Sequence, residues 1–521
     1  MPPRDPMART ERCSSLGGMV EESARLHPGR PAFFIDDSVT RYAPLNRMAN
    51  AWAHALRETL GVRPGEGVAI LLPNGVHFVA AALGAFKAGA AVIPLNTFLT
   101  APELRYIVAD SGARVLVSGD GFAPAVRAFS GDTPSLRALV TVGLEDLGGD
   151  TRLHRELVRG APADDPGLPV GREDLAVIIY TSGTTGRPKG AMLTHGNLLS
   201  NVAASGRAIR IGAKDRVAFF IPMFHSFTLT ACILMPLSVG AGAIAPARLK
   251  SLARFVRAMV FHRATIFIGI PHFYDMMAQR GIPWWARPLL RLRMCISGSA
   301  PLSAATLKEF ERRIRVPLLE GYGLSETSPV VSINPLDGVR KPGTVGLPIP
   351  GVEVGIFSGG GEPLPAGAAG EVAVRGPNVM RGYLNRPRET KETIRDGWLF
   401  TGDIGAIDGD GYLSILDRKK DMILFHGMNV YPREIEEVLY RHPGVAEAAV
   451  VGRRDKHRGE VPVAFVSLRG EGAGGAQGLV AWCRQWLAGY KIPHTIVILD
   501  RLPRNAAGKI VKEELKARLG D

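Results

Sequence analysis

Between residues 68 and 119 the sequence switches repeatedly between two hydrophobic periods, and this alternation constrains the fold more than any other feature. VAILL (68–72), AVIPL (91–95) and ARVLVSG (113–119) are short apolar runs that read as buried strands. Between them, residues 78–89 read as a helix packed on small residues, and APELRYIVADSG (101–112) as a second helix. A β-α-β-α-β order implies a parallel sheet with helices on its faces, so the fold class is α/β. The Pro-, Gly- and Asp-rich stretch 161–171 reads as a loop. LAVIIY (175–180) is then a strand that runs straight into a turn rich in glycine and threonine.

The texture changes after about residue 345. Runs 351–357, 370–375 and 411–417 look like short strands between Gly/Pro turns, which predicts a small β-rich subdomain. From Asp421 onward a compact α+β unit is expected. It has a helix at 432–442 with Pro432 in its first turn, strands at 446–453 and 462–468, a flexible turn at 470–478, and helices at 479–487 and 512–519. The expected architecture is a large N-terminal body of parallel-sheet α/β subdomains plus the β-rich subdomain (1–417), and a mobile C-terminal α+β cap (418–521). The hinge is expected at 417–420.

With 521 residues, 46% apolar and 21% charged, the chain has material for several cores and is not of the disordered class. The net charge of +14 is spread along the chain, which suits anionic ligands such as nucleotides, CoA or acids. A peripheral membrane contact and a homodimer stay open. Nucleic acid is not expected, because no basic helix, zinc spacing or aromatic-studded sheet motif accompanies the charge. Cys13, Cys232, Cys295 and Cys483 stand far apart, which speaks against zinc or dithiol chemistry and fits a reducing cytoplasm. Arg4, Arg9 and Arg12 precede no apolar core of signal-peptide length. Residues 217–247 carry no formal charge with His225 neutral, and they are long enough to cross a bilayer. Pro222, Pro236, Gly240 and Gly242 interrupt them, so a strand, loop and helix buried in an α/β core is favoured over a transmembrane helix.

The sharpest chemical signal is YTSGTTGRPKG (180–190). Gly183 and Gly186 let a backbone approach phosphate oxygens. Thr181, Ser182, Thr184 and Thr185 offer hydroxyls, and Lys189 offers charge. The spacing is not the Walker pattern, which disfavours a kinase or P-loop ATPase. This run resembles the phosphate-loop signature of the adenylate-forming (AMP-binding) superfamily of acyl-CoA synthetases, peptide-synthetase adenylation domains and firefly-type luciferases. GYGLSETSP (321–329), GWLFTGD (397–403), DRKKDMILFHGMNVYPREIE (417–436) and PRNAAGK (503–509) follow in that family's order. The wording at 429–432 looks closest to the fatty-acyl-CoA synthetase branch.

The resemblance implies ATP, Mg²⁺ and CoA as co-substrates and cofactor. It implies a ligase that turns a carboxylic, expectedly fatty, acid into acyl-AMP and then acyl-CoA, releasing AMP and pyrophosphate. A carboxylate and a triphosphate are both anions, so positive charge must meet them in the transition state. Glu326 is implied as the metal-associated acid, and Ser325 keeps the hydroxyl where the family usually has Thr. Gly298, Ser299 and Ala300 face Glu320, Gly321, Tyr322 and Gly323 as adenine walls, with the Tyr322 ring stacking. Asp403 and Arg418 take the ribose hydroxyls. Lys509 bridges the acyl carboxylate and the α-phosphate, and a flexible ammonium suits that task. Lys420 is implied as the hinge about which the cap rotates for the thiol step, and Gly427, after His426, lines the pantetheine channel. Replacement of the family's Thr by Ala507 leaves the Gly508–Lys509 pair intact.

PMFHSFTLT (222–230) matches the family's acyl-pocket motif, which places His225 near the acyl carboxylate. An Asp that would hold an amino-acid ammonium is missing there, and this argues against α-amino acids. Met223, Phe227, Leu229, Ile270, Pro271 and Phe273 predict an apolar tunnel or slot for a fatty or aryl acid. The alternatives are an acyl-AMP ligase that loads a carrier protein, an aryl or short-chain acid–CoA ligase, and a non-catalytic binder.

Overall fold

Gly67–Leu71 hydrogen-bonds to Ala91–Pro94 on one side and to Val115–Ser118 on the other, all parallel, as the alternation requires. The structure, a computed structural model, describes residues 5–519 except 149, 182–186, 250, 283–288, 427, 456–457, 471–474 and 505–509. The helix Ala101–Ser111 starts at a Thr100/Glu103 capping box and stops at Gly112, which takes the left-handed conformation open to glycine. The helix Val76–Lys87 is apolar nearly all round because it lies between the sheet and the helix Tyr42–His54.

Among the described residues the strands form four sheets. The first has eight strands, with Leu175–Thr181 beside Ala91–Pro94 and the antiparallel Lys189–Thr194 beyond it. The second has nine strands and a parallel centre that contains Arg216–Phe219, Ile266–Gly269, Met294–Ser297 and Leu318–Gly323. The third is the antiparallel sheet expected after residue 345, built on Glu353–Phe357, Gly370–Arg375, Trp398–Ile407 and Leu413–Arg418.

The fourth sheet belongs to the C-terminal unit. Its long hairpin, Val445–Asp455 with Gly459–Leu468, alternates faces with period two. Ala448 and Val450 pack on the helices Pro432–Tyr440 and Gly475–Arg484, while Ala449 and Val451 pack with Leu515 of the helix Lys512–Ala517. The expected turn at 470–478 is corrected here. Its second half is helical, because the helix starts at Gly475, four residues before the apolar pattern at Leu479 reveals it. Hydrophobic core clusters among the described residues lie either at or before Ile415 or at or after Ile423, and none joins the two sides.

The charge-free stretch 217–247 is broken as its prolines and glycines demand. The strand Arg216–Phe219 leads to a wide π-wound turn, Thr228–Leu234, then the helix Met235–Val239 and the strand Gly242–Ala245. Among the described residues no helix is long and apolar enough to cross a membrane.

Packing of the body is tight where its helices cross. A Cβ on Gly84 would collide with Trp52 and lie 2.9 Å from the Ala49 carbonyl. Gly84→Ala is therefore expected to destabilise the body by roughly 1–3 kcal/mol through overpacking. Urea unfolding followed by Trp fluorescence checks this, and an unchanged midpoint would contradict the packing described.

Candidate active site

The parallel strands Met294–Ser297 and Leu318–Gly323 end side by side, with Ser297 opposite Glu320. The carboxyl ends of such strands are where open α/β sheets leave room for ligands. Gly298, Ser299 and Ala300 leave the first strand, and Glu320, Gly321, Tyr322 and Gly323 close the second. Only glycine fits at 323, because a Cβ there would run into the Pro329 carbonyl. Ser299 takes a positive φ of 70° as the chain turns.

The Tyr322 hydroxyl donates to Asp403 Oδ2 at 2.5 Å, and Arg418 Nε lies 3.3 Å from Oδ1. Asp403 and Arg418 are partners across the antiparallel strands Trp398–Ile407 and Leu413–Arg418. Burial, and then the Asp403 charge, push the Tyr322 phenol well above its ordinary range, so it stays a donor. Glu320 is buried, accepts the Leu302 N–H at 2.9 Å, and has its carboxyl pushed up to about 7 by burial against the pull of Arg433.

A second cluster forms at the hairpin between the strands Leu175–Thr181 and Lys189–Thr194. Thr181 and Lys189 face each other at its base. The predicted Ser182, Gly183, Thr184, Thr185 and Gly186 lie outside the described residues. Glu326 Oε1 accepts the Thr181 hydroxyl at 3.2 Å and the Tyr383 hydroxyl at 3.0 Å. Lys189 Nζ stands 5.4 Å from the centre of the Tyr383 ring. The turn carrying Glu326 is pinned by buried amides: Asn378 donates to the Thr327 carbonyl at 2.9 Å and Asn201 to the Val330 carbonyl at 2.7 Å. Ser325 Oγ lies 3.0 Å from Ser226 Oγ.

His225 Nδ1 accepts the Phe227 N–H at 3.3 Å, which leaves the ring proton on Nε2. Burial holds its pKa below the ordinary value, so the ring is neutral at pH 7. From the C-terminal unit come Lys420, with Nζ 3.9 Å from Glu513, and Lys512, with Nζ 2.8 Å from Glu436. Gly427 and Lys509 lie outside the described residues. Arg504 and Ile510, which flank the Lys509 loop, bridge each other as antiparallel partners.

One cavity of 1860 Å³ gathers these groups. Its lining includes Thr181, Lys189, His225, Gly298, Ser299, Ala300, the four residues 320–323, Ser325, Glu326, Asp403, Arg418, Lys420 and Ile510. Among the described residues no three His, Cys, Asp or Glu side chains gather into a metal cage. Glu326 fits Mg²⁺ all the same, because that ion is commonly held by one or two carboxylates together with substrate phosphates and water. Nothing in the sequence pointed to Tyr383, Ser226 or Asn378. A lone tyrosine after glycine, a serine in an apolar motif and a loop asparagine acquire meaning only through their three-dimensional partners.

The AMP-binding enzyme family model matches residues 20–384, and the AMP-binding enzyme C-terminal domain model matches residues 434–509. A feruloyl-CoA synthase of Amycolatopsis sp is 36% identical over 98% of this chain and 100% of its own. A long-chain-fatty-acid–CoA ligase of Escherichia coli O6:H1 is 33% identical over 97% of this chain and 95% of its own. MatB from Rhodopseudomonas palustris, solved with ATP bound, has a TM-score of 0.88 at 32% identity, covering 96% of this chain and 99% of that one. Its apo structure has a TM-score of 0.79. The chain belongs to the AMP-binding enzyme family and is an enzyme of its acid–thiol ligase class.

Proposed function

We propose that the protein joins a carboxylic acid to CoA in two half-reactions within this one cleft. The observation that carries the reading is the convergence of five sequence-distant segments on a single cavity lined by both body and cap. In the first half-reaction a carboxylate oxygen attacks the α-phosphorus of ATP, and the bond to pyrophosphate breaks. In the second, the CoA sulfur attacks the acyl carbon, the bond to AMP breaks, and the thiol proton leaves to water.

The residues divide the work by charge and shape. The walls 298–300 and 320–323 leave a slot for the adenine, and Asp403, oriented by Tyr322 and Arg418, accepts ribose hydroxyls. Thr181, the loop residues 182–186 and Lys189 contact the phosphates. Mg²⁺, when bound beside Glu326, supplies charge that offsets the phosphate oxygens. Lys509 neutralises the attacking carboxylate and the α-phosphate together, and neutral His225 borders the acyl carboxylate without adding charge. The better match to ATP-bound than to apo MatB supports a cap set for adenylation. The proposed division into 1–417 and 418–521 falls at the end of the strand Leu413–Arg418, and rotation about Lys420 would bring Gly427 toward the thiol path.

Phe227, Ile268, Ile270 and Ile296 line the acyl side of the cavity, which supports a fatty acid. A second reading has its own observation. Ser205 and Ser297 also line the cavity, both are buried, and their hydroxyls have no hydrogen-bond partner. An aryl acid with a hydroxyl substituent would satisfy them, and the similarity to feruloyl-CoA synthase supports that class.

A panel of acids with ATP, Mg²⁺ and CoA, read by mass for thioesters, tests the reaction. Adenylate without thioester would make the acceptor a carrier protein. Lys509→Ala is expected to slow acid-dependent pyrophosphate release by about 100-fold, and full activity would refute its role. Asp403→Ala is expected to raise KM for ATP by roughly 10–100-fold, the worth of charged hydrogen bonds. For the acid, 4-hydroxycinnamate, cinnamate and decanoate separate the readings. If the serines bind a hydroxyl, Ser297→Ala lowers kcat/KM about tenfold for 4-hydroxycinnamate alone. A preference for decanoate that Ser297→Ala leaves untouched selects the fatty reading.

A further inference from the structure

The cap helix Pro432–Tyr440 meets the body through ionic and polar contacts. Arg433 donates from Nη1 to the Ile415 carbonyl at 2.5 Å, and its backbone N–H reaches Asp417 Oδ2 at 2.9 Å. Its Nη2 lies 3.9 Å from Oε1 of Glu320, the first residue of the wall 320–323. The guanidinium side chain is only 11% exposed, so little solvent screens it. One helical turn later, the Glu437 carboxylate faces the backbone N–H of Ala304. Ala304 is the first residue of the body helix Ala304–Ile314, where N–H groups have no partner within the helix and a negative charge is favoured. Arg433 and Glu437 thus hold two separate body elements from one face of one cap helix.

We propose that Arg433 and Glu437 are positioning residues that hold the cap in the orientation in which the adenylate forms, Arg433 through Glu320 and Glu437 through the start of the helix Ala304–Ile314. This rests on the two-step ligase reading. All of these contacts run from cap to body, so rotation for the thiol step breaks them together. Because Glu320 begins the wall 320–323, the orientation of the cap and the shape of the nucleotide slot are set by the same guanidinium. The arrangement holds two carboxylates and one cation away from water. Burial raises the pKa of both Glu320 and Glu437, and Arg433 is the cation that opposes the shift in each.

The test separates the two half-reactions in the full-length enzyme. Pyrophosphate release is followed with ATP and either decanoate or 4-hydroxycinnamate, and thioester formation with the matching synthetic acyl-AMP and CoA. Arg433→Ala and Glu437→Ala are expected to slow the first about tenfold or more and to leave the second within about twofold, because they lower the population of one orientation only. Glu437→Gln keeps an acceptor for the Ala304 N–H and is expected to retain the first half-reaction. Equal losses in both halves, or none, overturn the proposal. Trypsin nicking at Lys419 and Lys420 needs no substrate. It is expected to be several-fold faster in Arg433→Ala than in the unaltered enzyme, and an unchanged rate overturns the latch. An unaltered enzyme that releases no pyrophosphate with any acid would sink the ligase reading, while the nicking experiment still decides the latch.

Discussion

Asp403 is held from two sides, and the rest of the site depends on that grip. The Tyr322 hydroxyl reaches one oxygen from the nine-stranded sheet, and Arg418 reaches the other from the end of the strand Leu413–Arg418. Asp403 itself sits in the antiparallel sheet. Two sheets therefore meet at one carboxylate. A charged hydrogen bond is short and directional, so each partner restricts where the other two can stand. The carboxylate is 6% exposed, which keeps water from competing for it. The proposed ribose contact and the relation of the small sheet to the body rest on the same atoms.

The phosphate end follows a different logic. Here the proposed phosphate loop lies between the paired strands Leu175–Thr181 and Lys189–Thr194, and the described structure supplies their ends. Thr181 and Lys189 are held in register by the strand ladder, Glu326 by a turn that two buried amides pin, and Tyr383 bridges Glu326 and Lys189. Buried amides that donate to turn carbonyls make a stiff mount, because moving them strands polar atoms in the core. A loop proposed to contact a triphosphate would gain from rigid attachment points, since less order has to be imposed when a ligand arrives.

Much of this was legible in the sequence, and the reasons differ by element. The strands at 67–71, 91–94 and 115–118 announced themselves through apolar runs between helical stretches, because a strand buried on both faces has no room for polar residues. Helix Gly475–Arg484 started earlier than read because glycines at its first turn mask the pattern. The nine-stranded sheet was far less visible. Its neighbours are distant in sequence, and no single run tells which strand will lie beside it. The ordered motifs identified the residues around Asp403, Glu326 and His225, since each carries a local signature. Tyr383 and the pinning asparagines carry none, and the motif 417–436 that contains Arg433 does not reveal its partners. Their importance lies in a partner 51 to 129 residues away, and a single sequence records no such pairing.

The absence of any shared apolar core between cap and body among the described residues explains why charge does the joining. The core clusters stop at Ile415 and resume at Ile423. An apolar interface large enough to hold the cap would hold it permanently, because burial is non-directional and every displacement exposes area. Ionic contacts behave otherwise. Their attraction is strong only at close approach, and each partner can be rehydrated once separated, so the cost of leaving is offset by solvation. Arg433 with Glu320 and Arg469 with Asp275 at 3.7 Å bridge residues on either side of the hinge region, and Lys419 within it reaches Glu371 at 2.8 Å. A joint built this way is specific in one orientation and releasable from it, which is what an enzyme needs if one cleft is to make an adenylate and then admit a thiol.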